Sequence, residues 1–159
     1  MQTPFSTVLS AVATTIAMIA TAARSGRPMS NGAAVSKLIT NGITISSSGN
    51  CTDRNNPNCT SLEGVLSGTI DTIIALKGYS GCGSLVITGG TETGHDNCPD
   101  KTHWNGYKLD VRHAPCLDNY ICRTSTSTCV RSDGFPCWTI GGVDGLYCDE
   151  GSHWDIVFR

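Results

Sequence analysis

Nine cysteines fall between Cys51 and Cys148, and no other feature of the chain constrains its folding as much. Thiols at this density persist as disulfides only in an oxidising compartment, so the chain reads as secreted and extracellular. A cysteine-built metal cluster is the competing use. No C-x-x-C pair occurs, however, so a zinc ribbon or finger lacks its chelating spacing. Nine is odd: four bridges leave one thiol free or shared with a partner, and the sequence does not assign the connectivity. Cys51 and Cys59 are a candidate local pair. Cys116, Cys122, Cys129, Cys137 and Cys148 are expected to fasten long loops.

The amino terminus agrees with secretion. Residues 8–23 are apolar and rich in small side chains, and Ala20-Thr21-Ala22 offers an A-x-A-like cleavage site, so residues 1–23 read as a signal peptide. Ser10, Thr14, Thr15 and Thr21 interrupt the run, which argues against a stable membrane anchor. Asn50-Cys51-Thr52 and Asn58-Cys59-Thr60 fit the N-glycosylation acceptor pattern of a secreted glycoprotein. With a formal charge of -2 and basic residues scattered singly, the chain has no footprint for nucleic acid. Its length suits one domain, expected to be a monomer.

Residues 24–50 read as a linker or pro-segment, with a short strand or hairpin around Asn41-Gly42. The domain proper is expected over 51–159. Ser61 can cap a helix whose apolar positions Leu62, Val65, Leu66, Ile70, Ile73, Ile74 and Leu76 follow the 3.6-residue period, with Gly78 as its stop. Strands are expected over 84–88, 107–111 and 154–158, and residues 113–149 form a Cys- and Gly-rich excursion between the last two. One helix followed by strands gives an α+β class: a small, mainly antiparallel sheet packed against a helix, with disulfide-stapled loops.

Chemistry concentrates in two segments that become neighbours if the last two strands pair. One is Thr102-His103-Trp104-Asn105-Gly106-Tyr107-Lys108-Leu109-Asp110, the other Glu150-Gly151-Ser152-His153-Trp154-Asp155. A catalytic zinc needs three protein ligands and one open position for water, with imidazole nitrogens and a carboxylate oxygen as suitable donors. His103, Asp110 and His153 supply that set. Gly106 lets the backbone turn between ligands. Glu150, three residues before His153, suits the base that takes a proton from zinc-activated water.

These segments resemble the zinc D-Ala-D-Ala carboxypeptidase, dipeptidase and phage endolysin group, in the superfamily shared with lysostaphin and hedgehog domains. That group carries S-x-H-x-x-G-x-A-x-D, then E-x-x-H-W on a late strand. Thr102, His103, Gly106, Asp110, Glu150, His153 and Trp154 stand at similar spacings here. Ile87-Thr88-Gly89-Gly90 is similar to the strand-end segment before the ligands, so the resemblance spans roughly residues 60–159. It implies a zinc site on the sheet, with Zn2+ as cofactor. It also implies hydrolysis of peptide bonds in bacterial peptidoglycan stem peptides, and hence cell-wall degradation.

Two positions depart from the pattern. The group's strand-end segment finishes on an Arg that binds substrate carboxylate or the tetrahedral oxyanion, where this chain has Thr91-Glu92. His95, Lys108 and Arg112 are the cationic substitutes considered, His95 reading more readily as a solvated loop residue. Lys108 also replaces the motif's small residue. Asp155, two residues beyond His153, faces the same side of a strand and suits either a hydrogen bond to an imidazole or a surface ion pair. Trp154 is expected to pack in the core, and His113 to be a loop residue rather than a fourth ligand. A second reading is a secreted cysteine-rich binding or effector protein with a hedgehog-like, non-hydrolytic zinc site. A third is a metal-free structural protein of the cell surface.

Overall fold

The computed structural model describes residues 26–95 and 101–159. The expected signal peptide and Cys98 lie outside them. Helices α1 (Asn31–Thr40), α2 (Ser67–Ser80) and α3 (Pro115–Thr124) accompany seven strands, β1 (Ile43–Ile45), β2 (Leu85–Gly89), β3 (Lys108–Arg112), β4 (Ser125–Val130), β5 (Pro136–Ile140), β6 (Gly145–Asp149) and β7 (His153–Phe158). The strands form one sheet in the order β1-β2-β3-β7-β6-β5-β4. Only β1 and β2 pair in parallel. This is the α+β class expected.

Several elements differ from the sequence-based expectation. The stretch read as a linker with a hairpin carries α1 and β1, and Ala34, Leu38 and Ile43 belong to the common core. Ser30 caps α1 by accepting from the amide of Ala33, a cap hidden in a polar run. Helix α2 begins at Ser67 rather than after Ser61, because Gly64 takes φ +82° and turns the chain out of the helical path. Leu62 and Val65 are still buried, but from the preceding turn. Gly78 is passed through, and Gly81, at φ +69°, ends the helix. The excursion over 113–149 is ordered into α3 and the antiparallel β4, β5 and β6.

Paired residues on neighbouring strands project to the same face, so register sorts the sheet. One transverse row runs Trp138, Tyr147, Ile156, Leu109 and joins the side chains of all three helices in a single core. The row on the opposite face runs Gly89, Asp110, Asp155, Cys148, Cys137, Cys129. That polar row places the chemistry on the side of the sheet away from the helices.

Among the described residues three disulfides staple the fold: Cys51–Cys59, the candidate local pair, with Cys82–Cys116 and Cys137–Cys148. The second ties the turn after α2 to the first turn of α3. Cys122 and Cys129, expected to fasten loops, are instead exposed free thiols. Among the described residues no helix is long and apolar enough to cross a membrane.

Candidate metal centre

His103 sits in a tight turn braced from both ends. The amide of Thr102 donates to Asn105 Oδ1 (2.6 Å), and that of Asn105 to Thr102 Oγ1 (3.1 Å). Gly106 closes the turn at φ +84°, and a Cβ there would lie 2.7 Å from the Gly64 carbonyl oxygen. The imidazole is fixed as well: His103 Nδ1 lies 2.7 Å from the Gly90 carbonyl oxygen. A carbonyl only accepts, so Nδ1 carries a proton, and in the neutral ring it is Nε2 that presents a lone pair.

What faces that lone pair is more lone pairs. Asp110 Oδ1 stands 3.2 Å from His103 Nε2, and Asp155 Oδ1 3.8 Å away. Both aspartates are buried, at 6% and 5% exposure, and neither Oδ1 atom has a hydrogen-bond partner. The two residues are also paired directly across β3 and β7. Like charges opposed across strands are destabilising, and a buried acceptor without a donor costs roughly 1–3 kcal/mol. A cation between them resolves both problems.

Gly89, paired with Asp110 across β2 and β3, makes the space. A Cβ there would lie 2.1 Å from Asp110 Oδ2. One built on Gly90 would lie 2.1 Å from the Ser61 carbonyl oxygen. The Gly-Gly pair therefore admits the aspartate and lets the turn carrying His103's acceptor close.

His95, read from sequence as a solvated loop residue, belongs to this cluster. Its ring stacks on His103 at 3.9 Å, and its Nδ1 is 3.7 Å from Asp110 Oδ2. His95, His103 and Asp110 each offer a donor within 4.8 Å of the other two, a group that could hold a metal ion. The fit is chemical too, since two imidazoles and a carboxylate suit zinc. Behind His95 lies Glu92, 3% exposed, whose carboxylate accepts from the amides of Ser61 (2.7 Å) and Gly90 (3.0 Å) and from His95 Nε2 (3.0 Å).

Of the other expected site residues, His153 Nε2 lies 3.6 Å from Asp110 Oδ1 and 3.4 Å from Glu150 Oε2. It thus borders the cluster through Asp110. Glu150 is also ion-paired to Arg131, a residue that carries no signal in sequence because its tight turn between β4 and β5 lies inside the cysteine-rich excursion. Arg131 reaches Asp155 Oδ2 (2.7 Å) and Asp133 (2.7 Å), and Lys108 Nζ reaches the same Asp155 oxygen at 2.8 Å. Asp155 is therefore both an ion-pair hub on one oxygen and a bare acceptor on the other. Four carboxylates and two permanent cations line the cleft, an excess of two negative charges that matches one divalent ion.

The ionisation of the cluster follows these contacts. Burial pushes the Asp110 carboxyl up, but His103, His153 and His95 around it outweigh that and hold it below the usual range. Burial also opposes charge on His95. The Glu92 hydrogen bond and the fields of Asp110, Glu92 and Asp155 overcome it, leaving the imidazole easier to protonate than usual. Glu92 is lowered against its own burial by His95 and the Ser61 and Gly90 amides.

The remaining residues singled out from sequence lie elsewhere. His113 bridges Asp118 (3.0 Å) and Asp149 (3.2 Å). Arg112 bonds Ser46 Oγ (3.0 Å). Trp154 is buried in the core, its Nε1 donating to Asp118. Trp104 is exposed beneath the Arg54 guanidinium. No protein-family model matches the chain, and neither the curated proteins nor the solved structures contain a match.

Proposed function

We propose that the protein is a secreted zinc-dependent peptidase, with the metal held by His103, Asp110 and His153 and with Glu150 as the base. The observation that carries the reading is the meeting of His103 Nε2 with two partnerless, buried carboxylate oxygens. Zinc bound there would supply a Lewis acid that polarises a carbonyl and would make bound water a nucleophile near neutral pH. Glu150, which lines the cleft 3.4 Å from His153, would take the proton from water and return it to the leaving amine. Its ion pair with Arg131 must first loosen. A substrate carboxylate arriving on the Arg131 guanidinium would do that, giving this arginine the cationic role that Thr91-Glu92 cannot fill. The substrate class, stem peptides of bacterial cell walls, rests on the motif resemblance alone.

The test compares wild type with Glu150→Ala for zinc content and for release of new amines from purified peptidoglycan. Zinc retained in both, with release falling at least about 100-fold in the variant, is the expected result. Equal release by both would remove Glu150 from the mechanism.

A second reading is a binding or effector protein that keeps the metal without turnover, and it is favoured by the Arg131–Glu150 ion pair, which ties up the base. Zinc-loaded wild type that releases nothing from a panel of stem peptides would make it the better account.

A further inference from the structure

We propose that Cys129 and the Cys137–Cys148 bridge form a thiol–disulfide exchange relay, in which one disulfide moves between two positions on the sheet. The inference stands apart from the reading of the cleft as a metal centre, since it needs only the three sulfurs.

Strand register supplies the geometry. Cys129 pairs directly with Cys137 across β4 and β5, and Cys137 with Cys148 across β5 and β6. Paired residues project to one face, so the three side chains form a transverse row with Cys137 in the middle. The Cβ atoms of directly paired residues lie about 4.5–5.5 Å apart, close to the roughly 3.5–4.5 Å that a disulfide spans. The row also sets a direction. A thiolate attacks a disulfide sulfur from the side opposite the departing sulfur. Cys129 approaches Cys137 from β4 and Cys148 departs toward β6, so the attack is in line.

Access separates the three. Cys137 and Cys148 are 0% and 1% exposed, whereas Cys129 is an exposed free thiol on the edge strand. A thiol from solvent is kept from the native bridge, and Cys129 is the group placed to reach it. Cys122 is also exposed and free, but it lies on α3, outside the row.

The step balances without a co-reactant. Cys129 gives its proton to water, and its thiolate attacks Cys137 Sγ. A Cys129–Cys137 bond forms as the Cys137–Cys148 bond breaks, and Cys148 leaves as a thiolate that takes up a proton. Nothing is oxidised or reduced overall. What changes is the strand that the bridge holds. In one state it fixes β6 two residues before Glu150, and in the other it fixes β4 two residues before Arg131. The relay therefore anchors the two partners of the Arg131–Glu150 ion pair in turn.

The test uses the oxidised full chain as wild type, Cys129→Ser and Cys122→Ser, with far-ultraviolet circular dichroism confirming each fold. Each protein would be held at about pH 8 without added thiol or oxidant, quenched in acid, blocked with N-ethylmaleimide and mapped by peptide mass spectrometry. We expect wild type and Cys122→Ser to yield both Cys137–Cys148 and Cys129–Cys137 peptides, and Cys129→Ser only the first. Dithiothreitol should reduce the bridge at least about 10-fold more slowly in Cys129→Ser than in wild type, because the exposed sulfur that admits it is gone. The proposal is overturned if wild type yields no Cys129–Cys137 peptide, or if the two reduction rates are equal. It is equally overturned if Cys129 is found bonded to Cys122 or Cys98.

Discussion

At the scale of single residues, the cleft is organised by opposed lone pairs, and its pH response follows. In the metal-free protein the Asp110 carboxyl is depressed, so its contribution to stability is present above the ordinary carboxylate value and lost as pH falls through the depressed one. His95 is raised, so its contribution is complete below the ordinary histidine value and lost as pH rises through the raised one. Metal-free protein should therefore be most stable between about pH 4 and pH 6.5 and should weaken above that window. If the cluster holds zinc, the ion would take over the charge balance that the proton supplies, so thermal unfolding against pH should show the alkaline loss only in chelator. A Tm equally flat in both conditions would contradict the assignment. Part of this cluster was legible in the sequence: His103 and Asp110 fall in the metal-capable group, and the segments that carry them and His153 do pair. Glu92, His95 and Arg131 were not. Glu92 acts through a ring three residues away in a loop with no periodicity, and Arg131 enters from a hairpin distant in sequence.

At the scale of elements, the disulfides tie together segments of very different separation along the chain. The chain-entropy model makes bridge strength grow with the loop enclosed, giving about 4 kcal/mol for Cys82–Cys116, with 34 residues of separation, and about 2.5 kcal/mol for Cys51–Cys59, with eight. Replacing each pair by alanines and measuring urea unfolding should reproduce that order. The reverse order would mean that the short bridge acts through native packing of the loop that bonds Thr93 and Thr91 through Arg54. Element boundaries were harder to read than element existence. The apolar stripe expected as one helix over 62–76 is split by Gly64, because a helical period cannot show where φ turns positive. Strands β4, β5 and β6 escaped notice since β4 is a Ser/Thr edge strand exposed on nearly all its length, without the alternation that marks a half-buried strand.

At the scale of the whole molecule, one sheet separates two solvents. The helix side buries a continuous apolar core, and the other side gathers four carboxylates against two permanent cations, an excess that one divalent ion would balance. Metal should then act as a folding ligand: at one hundred times its Kd it adds about 2.7 kcal/mol, a rise in Tm of roughly 10 °C for a domain this size. Differential scanning fluorimetry with zinc against chelator tests this, and no shift would leave the opposed aspartates unexplained. Gly89→Ala should reproduce part of the chelator effect permanently, costing about 1–3 kcal/mol by overpacking and weakening zinc as it displaces the Asp110 carboxylate. Unchanged stability and unchanged zinc affinity in that variant would show that the strand end yields where the close contact says it cannot.

The consequence of Gly89 and Gly90 reaches beyond this chain. Donors can be exchanged for other donors, an aspartate for a glutamate or one histidine for another, and a centre of this kind can drift in its visible chemistry. The two hydrogens that stand where side chains would be have no substitute among the other amino acids. Anyone looking for the same centre in unrelated sequences would do better to search first for two adjacent absences at the end of a strand, and only then for the histidines that gather around the room they leave.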